Sequence, residues 1–410
     1  MRRGVPSVVV PPAAPRPAPA DASRAAPPAP LLSRGFAALL VAQVGFGYAF
    51  STFLVLPKFL VVALHATPRE IGLVTAAHNG LVVVLVPLLG ALVDRHGRRR
   101  FLTAGALLMA AAALGFTRVD SLGPAIYALR ALQALAFAMA YAAGSALAVD
   151  EAPPERVAQA IGIFGLTFLS MNAVAPGVAE EVSVRVGWPA AFALAALAAL
   201  LCAALSLRLR ERTGARSSEP LLAGLLGVAR RPGQRRVLAV IALVGIGFTA
   251  VFVFHQPFAE ALGIARLRGF FAAYAGVVIA VRTGFGGLID RAGARRAALA
   301  ALALYVAVPL LALSIPHTGL ALTGAALGLA HGILYPALNA VALVGAHPAE
   351  RGRVMALYQG AFQAGGTLGP VALGHLAERA GYGLVFLAAS ACLALAFCVL
   401  AWAPRARSAA

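Results

Sequence analysis

The sequence holds 410 residues, 61% of them hydrophobic and only 12% charged, with a formal net charge of +19. A soluble domain is roughly 45–50% apolar and about 25% charged, so these proportions exclude an ordinary soluble protein and predict a polytopic membrane one. The 34 basic residues, all arginine except Lys58, fall mostly in short segments between apolar runs, a pattern that orients membrane spans rather than one that binds nucleic acid.

Residues 1–35 hold nine prolines and five arginines without apolar periodicity. Such a segment buries no core and is predicted to be a disordered cytoplasmic tail. It also lacks the continuous apolar stretch of a signal peptide. From Phe36 onward the chain alternates long apolar runs with short polar ones. A membrane-spanning helix needs about 20 predominantly apolar residues. Twelve runs qualify: 36–57, 71–93, 101–118, 123–148, 159–179, 188–207, 237–257, 269–289, 297–315, 319–344, 354–377 and 383–403. Segments on the side of the two termini hold 25 basic residues and those on the other side hold seven. That bias predicts that both termini are cytoplasmic. Segment 208–236 is the longest internal polar one and reads as a cytoplasmic linker. It divides the chain into an N-terminal six-helix bundle (36–207) and a C-terminal one (237–403), followed by a short tail, 404–410. Cys202, Cys392 and Cys398 lie within apolar runs, have no metal-ligand spacing and read as packing residues.

One pattern occurs twice. Gly90, Asp94, Arg95, Gly97, Arg98 and Arg99 follow the second run, and Gly286, Asp290, Arg291, Gly293 and Arg295 follow the eighth in the same order. Pro153-Pro154-Glu155-Arg156 after run four is echoed by Pro348-Ala349-Glu350-Arg351 after run ten. Repeated landmarks in two six-span halves imply a duplicated, parallel-repeat transporter architecture with a site between the halves. The glycines suit close helix approach and a tight turn, and the aspartate sits where arginines can pair with it.

On these residues the chain resembles the major facilitator superfamily, over roughly residues 36–403. The resemblance implies an all-α integral membrane fold of twelve transmembrane helices in two pseudo-symmetric six-helix bundles. It also implies that the doubled loop latches the halves on the cytoplasmic side. Arg130-Ala131-Leu132-Gln133-Ala134 is similar to the helix-4 pattern of proton-coupled members, with Ala134 where they carry glycine. Ala175-Pro176-Gly177 in the fifth run is a degenerate form of a Gly-Pro pair found in the drug/proton antiporter branch, and Gly365-Gly366-x-x-Gly369-Pro370-x3-Gly374 is a fuller one in the eleventh. Efflux through the inner membrane is therefore expected, with uptake of a small metabolite as the alternative. A membrane enzyme or receptor, the third reading, would show clustered catalytic residues.

Arg130, Gln133, Phe137, Tyr141 and Ser145 share one face of a helix, read as lining a central cavity, because a charge within a span usually faces water or a partner. Family helices 1, 4, 7 and 10 line the path, which adds Gln43, Tyr48, Ser51 and Thr52, then His255 and Gln256, then His331, Tyr335 and Asn339. His78, Asn79 and Asn172 are weaker candidates, and Arg282 is expected in the inner half of helix 8. No carboxylate falls mid-run, so a proton would have to ride on a histidine or on an acid at a helix end. No ATP-binding loop appears. The expected partners are a small neutral or anionic substrate, with Arg130 as its anion contact, protons, and the lipid bilayer. No cofactor or metal is expected, and a monomer suffices.

Overall fold

The computed structural model describes residues 31–211, 221–284, 291–347 and 350–402. Twelve membrane-spanning helices account for nearly all of them. The first half comprises α1 (Arg34–Thr52, resumed as Leu56–Leu64), α2 (Pro68–His96), α3 (Arg98–Phe116), α4 (Pro124–Glu151), α5 (Val157–Arg185) and α6 (Trp188–Ser206). A short helix, Leu221–Ala229, precedes the second half. That half comprises α7 (Pro232–Ala261), α8 (Arg268–Gly284), α9 (Ala294–Leu313), α10 (Leu320–Leu343), and α11 and α12, which share the continuous stretch Arg351–Ala401. Gly381, at φ 79°, breaks that stretch into 351–380 and 382–401.

Of the predicted disordered tail, 1–35, the first 30 residues lie outside the described residues, as do the C-terminal tail, 404–410, and the middle of the linker; its last residues are structured instead, with Leu31 buried and Ser33 capping α1. The helices outrun the apolar runs at both ends. Pro68, Pro124 and Pro232 each begin a helix, because proline's missing N–H costs nothing in the first turn. At the other end α5 continues through Glu180 and Glu181 to Arg185. Charge ends an apolar run but not a helix.

Packing repeats between the halves. Helix α1 packs on α5 and α6, α2 on α4, and α3 on α4 and α6. In the second half α8 packs on α10, α9 on α10, and Ser390 of α12 bonds to Val306 of α9. Helix α7 lies on α11 at Gly245 and Gly365 and on α12 at Gly247. Three pairs cross between halves, α2 with α11, α5 with α8, and the second segment of α1 with α7; the first two exchange under the operation that relates the halves. Small residues set these distances, as expected where lipid removes the hydrophobic drive between helices. A Cβ on Gly374 of α11 would lie 2.6 Å from the Pro68 carbonyl of α2, and one on Gly72 of α2 would collide with the Pro370 carbonyl.

Candidate functional site

At one end of the bundle the halves are joined through polar groups. Pro57 has no N–H to continue α1 and its ring crowds the preceding turn, so a 3-10 turn, Phe53–Val55, interrupts the helix there. In an uninterrupted helix Lys58 N–H would donate to the Leu54 carbonyl. Gln256 of α7 inserts its side-chain amide instead: its Nε2 donates to Leu54 O at 2.8 Å and its Oε1 accepts from Lys58 N at 3.3 Å. The side chain of Lys58 is 5% exposed overall. Its Nζ lies 2.7 Å from Glu180 of α5 and 3.3 Å from Glu260 of α7, and it donates to the Ala265 carbonyl. The Glu180 carboxylate also accepts from the backbone N–H of Leu267, at 2.8 and 3.1 Å, and of Arg268, at 3.0 Å. Both amides belong to the other half. An ammonium between two carboxylates, one of them roofed by amides, offsets much of the cost of burying the charges; Glu260 Oε1 has the ion pair but no hydrogen bond among the described residues.

Further along the bundle Asn79 Nδ2 of α2 donates to Gly366 O of α11 at 2.8 Å. Beyond that level open space appears beside α5 and α8. Gly177 still lies against Arg268, but Gly162 and Gly165 of α5 and Gly276 and Gly284 of α8 have nothing within 4 Å of the position a Cβ would take. Aromatic groups from both halves approach one another at this level. Phe137 and Tyr141 of α4 stack at 5.3 Å, and Phe50 and Phe168 pack beside Phe137. Opposite them His331 and Tyr335 of α10 lie 5.4 Å apart, with Phe362 of α11 at 6.0 and 5.8 Å. Tyr141 is 43% exposed although it lies within a span. Tyr335 donates to Gln359, and Tyr305 of α9 hydrogen-bonds His331 at 3.2 Å.

The other expected positions divide between wall and interior. Arg130 is 8% exposed, and its guanidinium is held by Gln133 Oε1 at 2.6 Å and the Val74 carbonyl at 3.4 Å. It braces α4 against α2, because a buried charge takes the nearest acceptors. Gln43 is buried beside Gly144 on the α1–α4 contact. Ser51 donates to Asn172 at 2.6 Å, and Thr52 to the Tyr48 carbonyl at 3.0 Å. His255 is fully buried and stacked on Phe270 of α8 at 3.7 Å, and Gln256 belongs to the joined end. His78 packs on Phe50 and Phe137. Asn339 Oδ1 is buried without a hydrogen-bond partner among the described residues.

At the far end the repeated loops turn on Gly97 (φ 111°) and Gly293 (φ 82°), in backbone space that favours glycine. Gly286 and Asp290 lie outside the described residues, as do the side chain of Asp94 and the surroundings of Gly90. The loop arginines act alike in both copies. Arg99 contacts Leu209 O, just past α6, at 3.5 Å and Glu211 at 3.3 Å. Arg295 donates to Leu400 O and Ala401 O at the end of α12, at 3.2 and 2.9 Å. Arg295 thus caps the C-terminal carbonyls of the last helix in its half, where a cation is favoured, and Arg99 holds the segment just past the last helix of its own. Arg98 pairs with Asp150 of α4 at 2.5 Å. Arg95 and Arg291 are exposed.

The cluster of Lys58, Glu180 and Glu260 went unnoticed in the sequence. Its one visible signal was that the chain's single lysine lies next to a proline at the end of an apolar run.

The family model described as Major Facilitator Superfamily matches residues 37–318 and 270–410 of the chain. Among solved structures, a nucleoside transporter NupG variant is similar with a TM-score of 0.77 at 12% identity, covering 89% of this chain and 98% of that one. A bacterial homologue of the human lysosomal transporter Spinster, in an inward-facing and unoccupied conformation, gives 0.75 at 16% identity, covering 91% and 96%. The human organic anion transporter TETRAN gives 0.64 at 18% identity, covering 90% and 99%.

Proposed function

Since the chain belongs to the major facilitator superfamily and is a multi-pass membrane transporter, we propose that it is a proton-coupled exporter of small molecules. Its two six-helix halves would rock about a central cleft. The observation that carries this reading is the contrast along α5 and α8, which are bonded across the halves at Glu180 and Leu267 and have open space beside Gly165 and Gly276. The arginine bias orients the joined end outward and both termini toward the cytoplasm of the inner membrane, so the cleft opens inward. The loop arginines, each engaged with its own half, suit the stage of the cycle at which the cytoplasmic latch is released. In the opposite stage the two loops would approach and the outer cluster would part.

The proton site we assign to the outer cluster. Two carboxylates around one ammonium leave one negative charge in excess, with room for one proton, and α5, α1 and α7 separate only if those contacts break. Uptake is the second reading, favoured by Ala134, which stands fully buried where the proton-coupled pattern has glycine.

Everted vesicles with an imposed pH gradient and a panel of acidic, neutral and basic solutes test the proposal. Accumulation should follow an acidic interior, collapse with the gradient, and lose its pH dependence in Glu260→Gln. Gradient-independent equilibration of every transported solute would refute coupled export.

A further inference from the structure

Among the described residues Arg282 is a cation without a protein counter-charge. It projects from α8, about four turns past the joined end, and is exposed within a membrane span. It makes no hydrogen bond or ion pair among the described residues. The carboxylates described inside the bundle are engaged elsewhere, Glu180 and Glu260 with Lys58 and Asp150 with Arg98. The Arg282 charge lies within electrostatic reach of Tyr141 in the first half and of Tyr335 and His331 in the second. It therefore stands in the mouth of the cleft, between two aromatic walls. Its neighbour Val281 packs against Gly332 of α10, which fixes the helix and leaves the next residue turned toward the opening. Arg130, the other arginine within a span, is taken up by Gln133 and Val74 and has no comparable access.

An ionisable side chain at membrane depth is retained for a partner, and here the cleft itself offers the space for one. We propose that Arg282 is the cargo's charge contact, and that the cargo is a small organic anion with a flat apolar body. A guanidinium presents a planar fork that matches a carboxylate in two parallel hydrogen bonds. Phe137 and Tyr141 on one side and Tyr335 and Phe362 on the other supply ring faces and edges for the body. Water fills the open cleft and screens the pair; closing of the cleft removes it and strengthens the attraction. Anionic cargo thus favours the closed intermediate that precedes release. The inference rests on the transporter reading for the route of the cargo, but binding to the site can be measured without it.

Radiolabelled benzoate, benzamide and benzylamine are three rings of similar size with a negative, neutral and positive substituent. Equilibrium dialysis against the purified full-length protein should give benzoate an affinity roughly tenfold or more above benzamide, with benzylamine weakest. Arg282→Gln should bring benzoate down to the level of benzamide and leave benzamide unchanged, which also shows that the cleft is intact. Arg282→Lys should keep part of the preference. Equal binding of the three probes, absence of binding by any of them, or a benzoate preference that survives in Arg282→Gln would overturn the site. Counterflow of the same probes in proteoliposomes separates the two readings. Arg282-dependent binding without flux upholds the site and sinks the transporter reading for this cargo. Flux of any probe with no dependence on Arg282 upholds the transporter and sinks the site.

Discussion

Replacing Glu180 with glutamine weakens the joined end at its most connected atom pair. The carboxylate holds Lys58 of its own half and accepts from two backbone amides of the other, Leu267 and Arg268. Hydrogen bonds to a charged group contribute about 1.5–3 kcal/mol each and neutral ones about 0.5–1.5. Exchanging two of the first kind for two of the second removes about 2–3 kcal/mol from the closed arrangement. In the open arrangement residue 180 meets water in either protein, so the difference falls on one conformer. At 1.4 kcal/mol per factor of ten, the ratio of open to closed should rise roughly 30- to 150-fold. Spin labels at Val184→Cys, at the end of α5, and Arg266→Cys, in the turn before α8, report that ratio in a background without the three native cysteines; both positions are exposed. The wild-type pair should give a short, narrow distance distribution, and Glu180→Gln should add a longer component of comparable weight. An unchanged distribution would refute the view that these bonds hold the end shut.

Three other perturbations address different parts of the molecule. A methyl group at Gly374 would sit 2.6 Å from Pro68 O, so Gly374→Ala should push α2 off α11, lengthen the same label distance and cut transport, whereas Gly383→Ala, with open space around it, should do neither. Arg130→Ala leaves the buried Gln133 Oε1 without its partner; at about 1–3 kcal/mol per unsatisfied buried group, thermal stability should drop clearly, and a drop in cargo affinity with no change in melting would assign Arg130 to the cargo instead. At the surface, Arg231 holds the Glu350 carboxyl below the usual carboxylate range through bonds of 2.7 and 2.8 Å. A depressed folded-state pKa adds stability above the unfolded value, about 4.3, and that contribution is lost as pH falls through the folded value. Glu350→Gln should therefore lower the melting temperature at pH 7 and leave it unchanged near pH 3, and an equal loss at both would show that the pair acts through something other than charge.

The duplicated architecture was legible because apolar length and repeated loops are local signals: Gly97 and Gly293 could be aligned by eye, and both turn with positive φ. The helical face shared by Arg130 and Gln133 was legible too, since i and i+3 adjacency needs no partner helix, and the two do bond to each other. What that face meets was not legible. Whether Arg130 reaches Val74 or open water depends on how α2 leans, and no periodicity encodes lean. The cluster at the joined end was hidden for a related reason. Lys58, Glu180 and Glu260 are distant in sequence, each lies at the end of an apolar run, and each alone resembles an interfacial charge. Only the inclination of the two halves brings three such ends together and removes them from water. His255 illustrates the converse: a polar residue on a path helix turned, by the α7–α8 contact, onto the ring of Phe270.

The solitary lysine has a practical corollary. Every other basic side chain is arginine, so an acylating reagent for primary amines finds one ε-amine in the whole polypeptide, besides the chain's own amino terminus. That amine sits behind Glu180 and Glu260, so its rate of acylation in native membranes would time the parting of the joined end without any engineered label, and a bound cargo or an imposed voltage could be ranked by how far each slows or speeds that single reaction.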